Sequence, residues 1–246
     1  MRNHARRATR GWKLAGAAAA VFVLLVAIAQ VQRSRGHDTA GTLETTDGRG
    51  VEATALGPRG DELSVVRRDP GDPLAIGDVD APVVLVEWLD VRCPFCALFS
   101  RQTLPTLIDD YIDAGLVRYE VHPVEFFGDQ SGAAAVAVHA AGAQGMAMEY
   151  LSALYAAAPE RGHPDLTREV QLGFAEQIGI PDMGRFTDDL DRTDLRAAVT
   201  EETTNAGGLG VNTVPFFLVG DTAIAGAQSL EVFRDVLDEA IDAVEN

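Results

Sequence analysis

Two cysteines, Cys93 and Cys96, are the only thiols in 246 residues, and they stand one helical turn apart in Cys93-Pro94-Phe95-Cys96. A pair at that spacing can close a disulfide and trade it with another thiol. It follows a continuous apolar run, Pro82 to Leu89 (PVVLVEWL), of the kind that forms a strand buried on both faces. A helix opening directly after that strand puts Cys93 at the helix N-terminus, where unpaired N–H groups and the macrodipole stabilise a thiolate. Pro94 suits the first helical position, because its missing N–H costs nothing there. Each unit by which the Cys93 pKa falls corresponds to about 1.4 kcal/mol in favour of the thiolate, and the same bias makes this sulfur a good leaving group. Two other uses of the pair stand beside redox exchange. A structural disulfide across so short a loop would constrain the unfolded chain little. A metal site would need about two more ligands, which only a histidine brought in by folding, such as His122 or His139, could begin to supply.

Glu87 lies inside the apolar run, six residues before Cys93. Buried there, it would have its pKa raised by desolvation and could pass a proton to or from Cys96; on an edge strand it would simply face water. Asp90, nearer the loop, is expected to be solvated. Thr213-Val214-Pro215 leads into a second apolar run, Pro215 to Val219 (PFFLV). Proline cannot donate to a strand ladder, so it belongs at the strand start, and from the residues alone its peptide bond is trans by default. His122, His139 and His163 read as core or surface residues, and Met146 and Met148 as core and boundary residues rather than a copper site. Asp188, Asp189, Asp191, Asp194, Glu201 and Glu202 read as a solvated acidic face. Trp88 and Phe95 are expected to shape the apolar surroundings of the thiols.

The elements that must position these groups follow from periodicity. A strand over 82–89 is followed by a helix from Pro94 to Ala114, a second strand from Leu116 to Val124 and several helices in series between about Ser131 and Ala206. Pro215 to Val219 and Thr222 to Ala225 form a hairpin across Gly220-Asp221, and Leu230 to Val244 is an amphipathic helix. A short strand over Leu63 to Val66 is a further expectation. This order gives an α/β sheet interrupted by a helical insertion.

An acid six residues before a CPxC at a helix start, a helical insertion, and a Val-Pro about 120 residues later before a hairpin and a final helix together resemble the DsbA-like thioredoxin-fold thiol:disulfide oxidoreductases. The resemblance covers roughly Asp72 to Val244. It implies a thioredoxin-like fold over 73–246 with the helical insertion at about 128–208. It also implies that Cys93 is the exposed cysteine that is attacked and attacks, that Cys96 resolves, and that Glu87 is the buried acid beside them. Val214-Pro215 would be a cis-proline loop facing the disulfide, Val214 pairing through its backbone with an extended substrate segment beside Thr213 and Pro215 keeping metals away. No cofactor is implied beyond the cysteine pair. The dipeptide Pro94-Phe95 differs from the Pro-His of strongly oxidising members.

The N-terminal third is of another kind. Residues 1–35 hold seven basic residues and no acid, while the remaining 211 carry 13 arginines against 37 acids, a net −24 within a total of −17. Leu14 to Val31 is 18 uncharged residues, about 27 Å as a helix and close to the roughly 30 Å of a bilayer core. A basic tail over 1–13, a transmembrane helix over 14–31 and a flexible linker over 32–72 would hang the domain outside the cytoplasm. Cleavage of a signal peptide after Ala29 is the rival reading, and both export the domain. An acidic body repels phosphate, so a nucleic-acid partner is excluded. A chain with 47% hydrophobic residues is neither disordered nor a disulfide-stapled miniprotein.

The resulting expectation is an exported, membrane-tethered protein thiol:disulfide oxidoreductase. It would act as an oxidase on exported proteins with cysteines and be recharged by a membrane partner of unknown identity. A reductase or isomerase of the same fold, and a thioredoxin-like metal-delivery module, remain as alternatives.

Overall fold

The computed structural model describes residues 65–245. The basic tail, the segment 14–31 and most of the linker lie outside the described residues. Among the described residues no helix is long and apolar enough to cross a membrane.

The sheet is built around β2 (Val83–Leu89) and β3 (Val117–Pro123), which run parallel in register from Val83 opposite Val117 to Leu89 opposite Pro123. All seven residues of each strand are buried. β2 is the apolar run that a doubly covered central strand requires. β3 reaches the same burial with alternating chemistry: Val117, Tyr119 and Val121 point to one face, Arg118, Glu120 and His122 to the other. β1 (Ala75–Ile76) pairs antiparallel with β3, β4 (Phe216–Val219) pairs antiparallel with β2, and β5 (Thr222–Ala225) closes the order β1-β3-β2-β4-β5. The β4–β5 hairpin turns at Gly220 with φ +54°, a conformation glycine adopts without penalty. β1 escapes periodicity because two residues show none; Gly77 ends it where a Cβ would meet the Val117 carbonyl at 2.8 Å.

The crossover from β2 to β3 opens with α1 (Pro94–Gln102). The expected single helix to Ala114 is broken at Thr103, because Pro105 lacks an N–H and its ring opposes the carbonyl four residues back. The chain resumes as the short α2 (Leu104–Leu107) and then a π-helical turn over Ile108–Ile112, with Asp113 N–H donating to the Ile108 carbonyl at 2.9 Å. Between β3 and β4 lie α3 (Asp129–Gly142), α4 (Ala147–Ala157), α5 (Arg168–Ile178), α6 (Met183–Asp189) and α7 (Thr193–Gly208). α3 is buried nearly all round, and its alanines let neighbouring helices approach closely. Thr167 and Asp182 cap α5 and α6 by accepting the N–H of Val170 and Arg185, and Gly179 ends α5 at φ +75°.

α8 (Leu230–Glu245) buries Phe233, Leu237 and Ile241 on one stripe. Phe233 meets Phe99 of α1 and Phe217 of β4 at ring-centroid distances of 5.0 and 4.8 Å, and Phe99 meets Phe217 at 4.5 Å. Each buried ring contributes about 1.5–3 kcal/mol through removal from water, and such pairs add about 0.5–1.5 kcal/mol. This aromatic cluster locks the thiol-bearing helix onto the sheet.

The opposite face is held by polar groups. The segment 65–72, which the sequence reading places at the end of the linker, lies along β3 without forming a strand. The main-chain N–H groups of Arg67 and Arg68 donate to the Glu120 carboxylate at 2.8 and 3.0 Å, and Arg118 Nε donates to it at 2.7 Å. His122 Nε2 accepts from Arg67 at 2.9 Å while its Nδ1 donates to Glu202 of α7 at 3.0 Å. Trp88 Nε1 also donates to Glu202, at 3.1 Å. Glu202, partly exposed, is therefore an acceptor of this network and not one acid of a solvated face, and Asp189 is buried beside Arg185 and Arg192. Trp88 points to the side of the sheet away from the thiols and takes no part in their surroundings.

Candidate active site

Cys93 occupies the N-cap of α1 with extended backbone angles, and Ala97 N–H donates to its carbonyl at 3.1 Å as the first helical bond. The Cys93 N–H is itself anchored on the Asp90 carbonyl at 2.9 Å. Cys93 and Cys96 are free thiols. Cys93 is only 2% exposed, whereas the resemblance implies an exposed cysteine. The Val214 loop covers it: Cys93 Sγ donates to the Val214 carbonyl at 3.4 Å. The Val214–Pro215 peptide bond is cis, and the Pro215 carbonyl is fixed by the Gly226 N–H at 2.8 Å.

The two sulfurs are electrostatically unlike. The Cys96 thiol beside Cys93 and the main-chain N–H groups of Cys96 and Phe95 hold the Cys93 pKa below the ordinary thiol value, against burial and the Asp90 charge. Burial pushes Cys96 well above that value, and its role as donor to Cys93 and the nearness of Glu87 push it further. The lowered pKa at Cys93 and the raised one at Cys96 make Cys93 the more readily ionised of the two sulfurs.

Glu87 is 1% exposed, opposite Phe217 and on the same face as Tyr119. Burial raises its pKa to about 8, against the hydrogen bond that Tyr119 Oη donates to its Oε2 and with the Cys93 charge adding to the rise. Its other oxygen, Oε1, is buried and has no hydrogen-bond partner among the described residues. The raised Cys96 pKa includes repulsion from Glu87, so the two groups share one electrostatic neighbourhood.

A cleft of about 840 Å³ opens in front of Cys93. Pro94, Phe95, Thr213 and Val214 line it, together with Phe126, Phe127 and His163, which are contributed by the end of β3 and by the insertion. Phe95 is 61% exposed at its rim. His163 stacks on Phe127 with ring centroids 4.0 Å apart and donates from Nδ1 to the Arg92 carbonyl at 3.0 Å. His122 and His139 stand elsewhere; His122 belongs to the polar network on the far face. Among the described residues no group of three His, Cys, Asp or Glu side chains is placed to hold a metal ion.

Four contributors were not legible in the sequence. Asp90 is buried and not solvated, because Arg92 N–H and Phe127 N–H donate to its carboxylate at 2.9 and 3.2 Å and close the loop over it. Tyr119 reaches Glu87 only once β2 and β3 are known to be parallel neighbours; the alternation in β3 was the available signal. His163 and Phe127 lie 36 residues apart and meet through the fold of the insertion, with no local pattern to announce them.

A parallel-and-antiparallel sheet carrying a dithiol at a helix N-terminus opposite a cis-prolyl loop defines a thioredoxin-fold dithiol protein. A thioredoxin family model matches residues 69–239, and the chain belongs to that family. Over 67 residues it is 40% identical to disulfide bond formation protein D of Bacillus subtilis strain 168, a match that covers 27% of this chain and 30% of that protein. It thus spans under a third of the length of that relative. Over 144 residues it is 28% identical to probable disulfide bond formation protein D of Bacillus cereus, covering 57% of this chain and 67% of that one. Oxidised BdbD of Bacillus subtilis shares the fold with a TM-score of 0.64 at 22% identity, over 70% of this chain and 94% of that structure.

Proposed function

We propose that this chain is a thiol:disulfide oxidoreductase that forms disulfides in proteins outside the cytoplasm. The observation that carries the reading is the contrast between the sulfurs: the outer Cys93, at a helix N-terminus facing Val214, has its pKa lowered, and the inner Cys96, near Glu87, has its pKa raised by burial. A stabilised Cys93 thiolate favours the reduced form of the pair and makes its disulfide oxidising. The relatives named for disulfide bond formation support the same direction.

In the forward reaction a substrate thiolate attacks Cys93 Sγ of the Cys93–Cys96 disulfide. The S–S bond breaks and its electron pair goes to Cys96 Sγ, which takes the proton held by Glu87. A second substrate thiolate then attacks the substrate sulfur of the mixed disulfide and expels Cys93 as its stabilised thiolate. The substrate gains one disulfide and the enzyme is reduced by two electrons. The carbonyl of Val214 and the cleft lined by Phe126, Phe127 and Thr213 receive the extended substrate segment. The uncharged run 14–31 tethers the domain to the membrane, where a partner protein reoxidises the pair.

Replacing Cys93 by Ser is expected to abolish oxidation of a reduced, unfolded protein; undiminished activity would overturn the mechanism. Equilibration of the pair with glutathione fixes the direction: a disulfide that persists at a strongly reducing poise identifies a reductase instead.

A further inference from the structure

Arg92, the residue before the outer cysteine, is tied by its main chain and its side chain to both loops of the insertion that border the front cleft. Its Nε donates to the Pro164 carbonyl at 2.8 Å and its Nη1 to the Phe127 carbonyl at 2.9 Å. Its own carbonyl accepts from His163 Nδ1 at 3.0 Å. Its N–H is held on the Asp90 carboxylate, which also takes the Phe127 N–H, and the stacking of His163 on Phe127 closes the circuit. The two loops are residues 124–128, between β3 and α3, and residues 158–167, between α4 and α5, and neither contains helix or strand. Side-chain contacts must therefore fix them in place. Gln130 holds the second loop at its far end by accepting the Leu166 N–H at 2.9 Å, and Arg92 holds it at the cleft. From these loops Phe126, Phe127, Gly162 and His163 reach the lining of the cleft, which is completed by the loop that carries Val214.

We infer that Arg92 is the positioning residue of the substrate cleft: its guanidinium fork holds the wall made by the insertion at a fixed place relative to Cys93, so that an extended segment of an unfolded protein is laid between that wall and the Val214 loop with its sulfur at Cys93. The inference rests on the proposed exchange reaction. A small thiol needs Cys93 and no wall. A polypeptide segment draws its binding from the wall, and a wall fixed in advance costs no ordering when the substrate arrives. Preference for polypeptide over small thiol is thus set one residue from the exchanging sulfur, by a side chain whose hydrogen bonds go to carbonyls of other loops. Two carbonyls in separate loops call for a forked donor. Arginine presents its N–H groups in a rigid plane, whereas lysine keeps the charge but is a point donor on a flexible stem.

The test compares Arg92→Ala and Arg92→Lys with the wild-type full chain. Reduction of the enzyme disulfide is followed in single turnovers with 2-mercaptoethanol and over a range of concentrations of a reduced, unfolded protein, which gives a half-saturating concentration and a maximal rate. The half-saturating concentration is expected to rise about tenfold in Arg92→Ala and nearly as much in Arg92→Lys, while the maximal rate and the small-thiol rate stay within about twofold of wild type. The reduction potential stays at the wild-type value. Trypsin cleavage at the exposed Arg161, within the second loop, should quicken in both variants. A half-saturating concentration unchanged in both variants, a wild-type value in Arg92→Lys, a parallel fall in the small-thiol rate, or cleavage at Arg161 no faster than in wild type overturns the assignment. A wild-type chain that exchanges with neither reductant overturns the proposed function itself, and the assignment with it.

Discussion

The sheet buries one carboxylate on each face, and the protein treats the two in opposite ways. Glu87, behind the thiols, has one donor for two oxygens. Glu120, one strand position from the same level on β3, receives Arg67 N–H, Arg68 N–H and Arg118 Nε. Burial raises the pKa of both, but at Glu120 the hydrogen bonds from Arg67, Arg118 and Arg68 and the Arg67 charge outweigh it, and the net shift is downward. At Glu87 the shift is upward to about 8. Burial alone therefore does not make a working acid; withholding donors does. Glu120, with its pKa held down, ties the chain together, and Glu87 is left with one oxygen unsatisfied.

The comparison is broken most severely at its satisfied end. Glu120→Ala leaves the buried Arg118 guanidinium unpaired and two main-chain donors without an acceptor. A loss of about 3–5 kcal/mol is expected in urea unfolding. At the unsatisfied end the same kind of change has the reverse sign. Glu87→Gln is expected to raise stability at pH 9 by about 1–3 kcal/mol and to slow exchange about a hundredfold, by removing a charge with no compensating partner and a general acid.

The pH dependence sharpens the contrast. Because the folded pKa of Glu87 lies above its unfolded value, the native state binds the extra proton. Stability from this group is full below about 4.5 and is lost as pH rises to about 8, by roughly 4 kcal/mol. Glu120 works the other way: its folded pKa is depressed, so its contribution is present above the unfolded value and is lost as pH falls through the folded one. Urea unfolding of Glu87→Gln from about pH 2 to about pH 9 is expected to lose the alkaline decline and keep the acid one. Tyr119→Phe removes the hydrogen bond that lowers the Glu87 pKa. The alkaline limb of the exchange-rate profile should move to higher pH, with a stability cost of about 1–2 kcal/mol. The smallest effect is expected at Arg68→Ala, where a half-exposed side chain gives up its bonds to the Val79 and Ala81 carbonyls. About 0.5–1.5 kcal/mol of local stability should be lost, read as faster limited proteolysis near residue 68.

What the sequence made legible divides along the same line. Strands β2, β4 and β5, the helix start at Pro94 and the final helix could be read locally, because apolar runs, the CPxC position and the spacing of Phe233, Leu237 and Ile241 are local signals. The break at Thr103 was also local, and Pro105 was its marker. Glu120 was not legible as a structural anion, since its donors come from Arg67 and Arg68, more than 50 residues earlier. Glu202 looked like one acid in an exposed run and is instead the acceptor for Trp88 and His122, 114 and 80 residues away. Groups defined by long-range pairing are visible only once the sheet order is known.

The grip of Arg67 and Arg68 on Glu120 also has a mechanical meaning. Any tension on the chain preceding residue 65 arrives at this clamp before it reaches β1, whose two residues would otherwise be the first to unzip. Several hydrogen bonds loaded together, anchored on a strand inside the sheet, resist a pull far better than an edge ladder opened one bond at a time. The clamp is a strain relief, and it keeps force applied at residue 65 away from the thiols on the other side of the sheet.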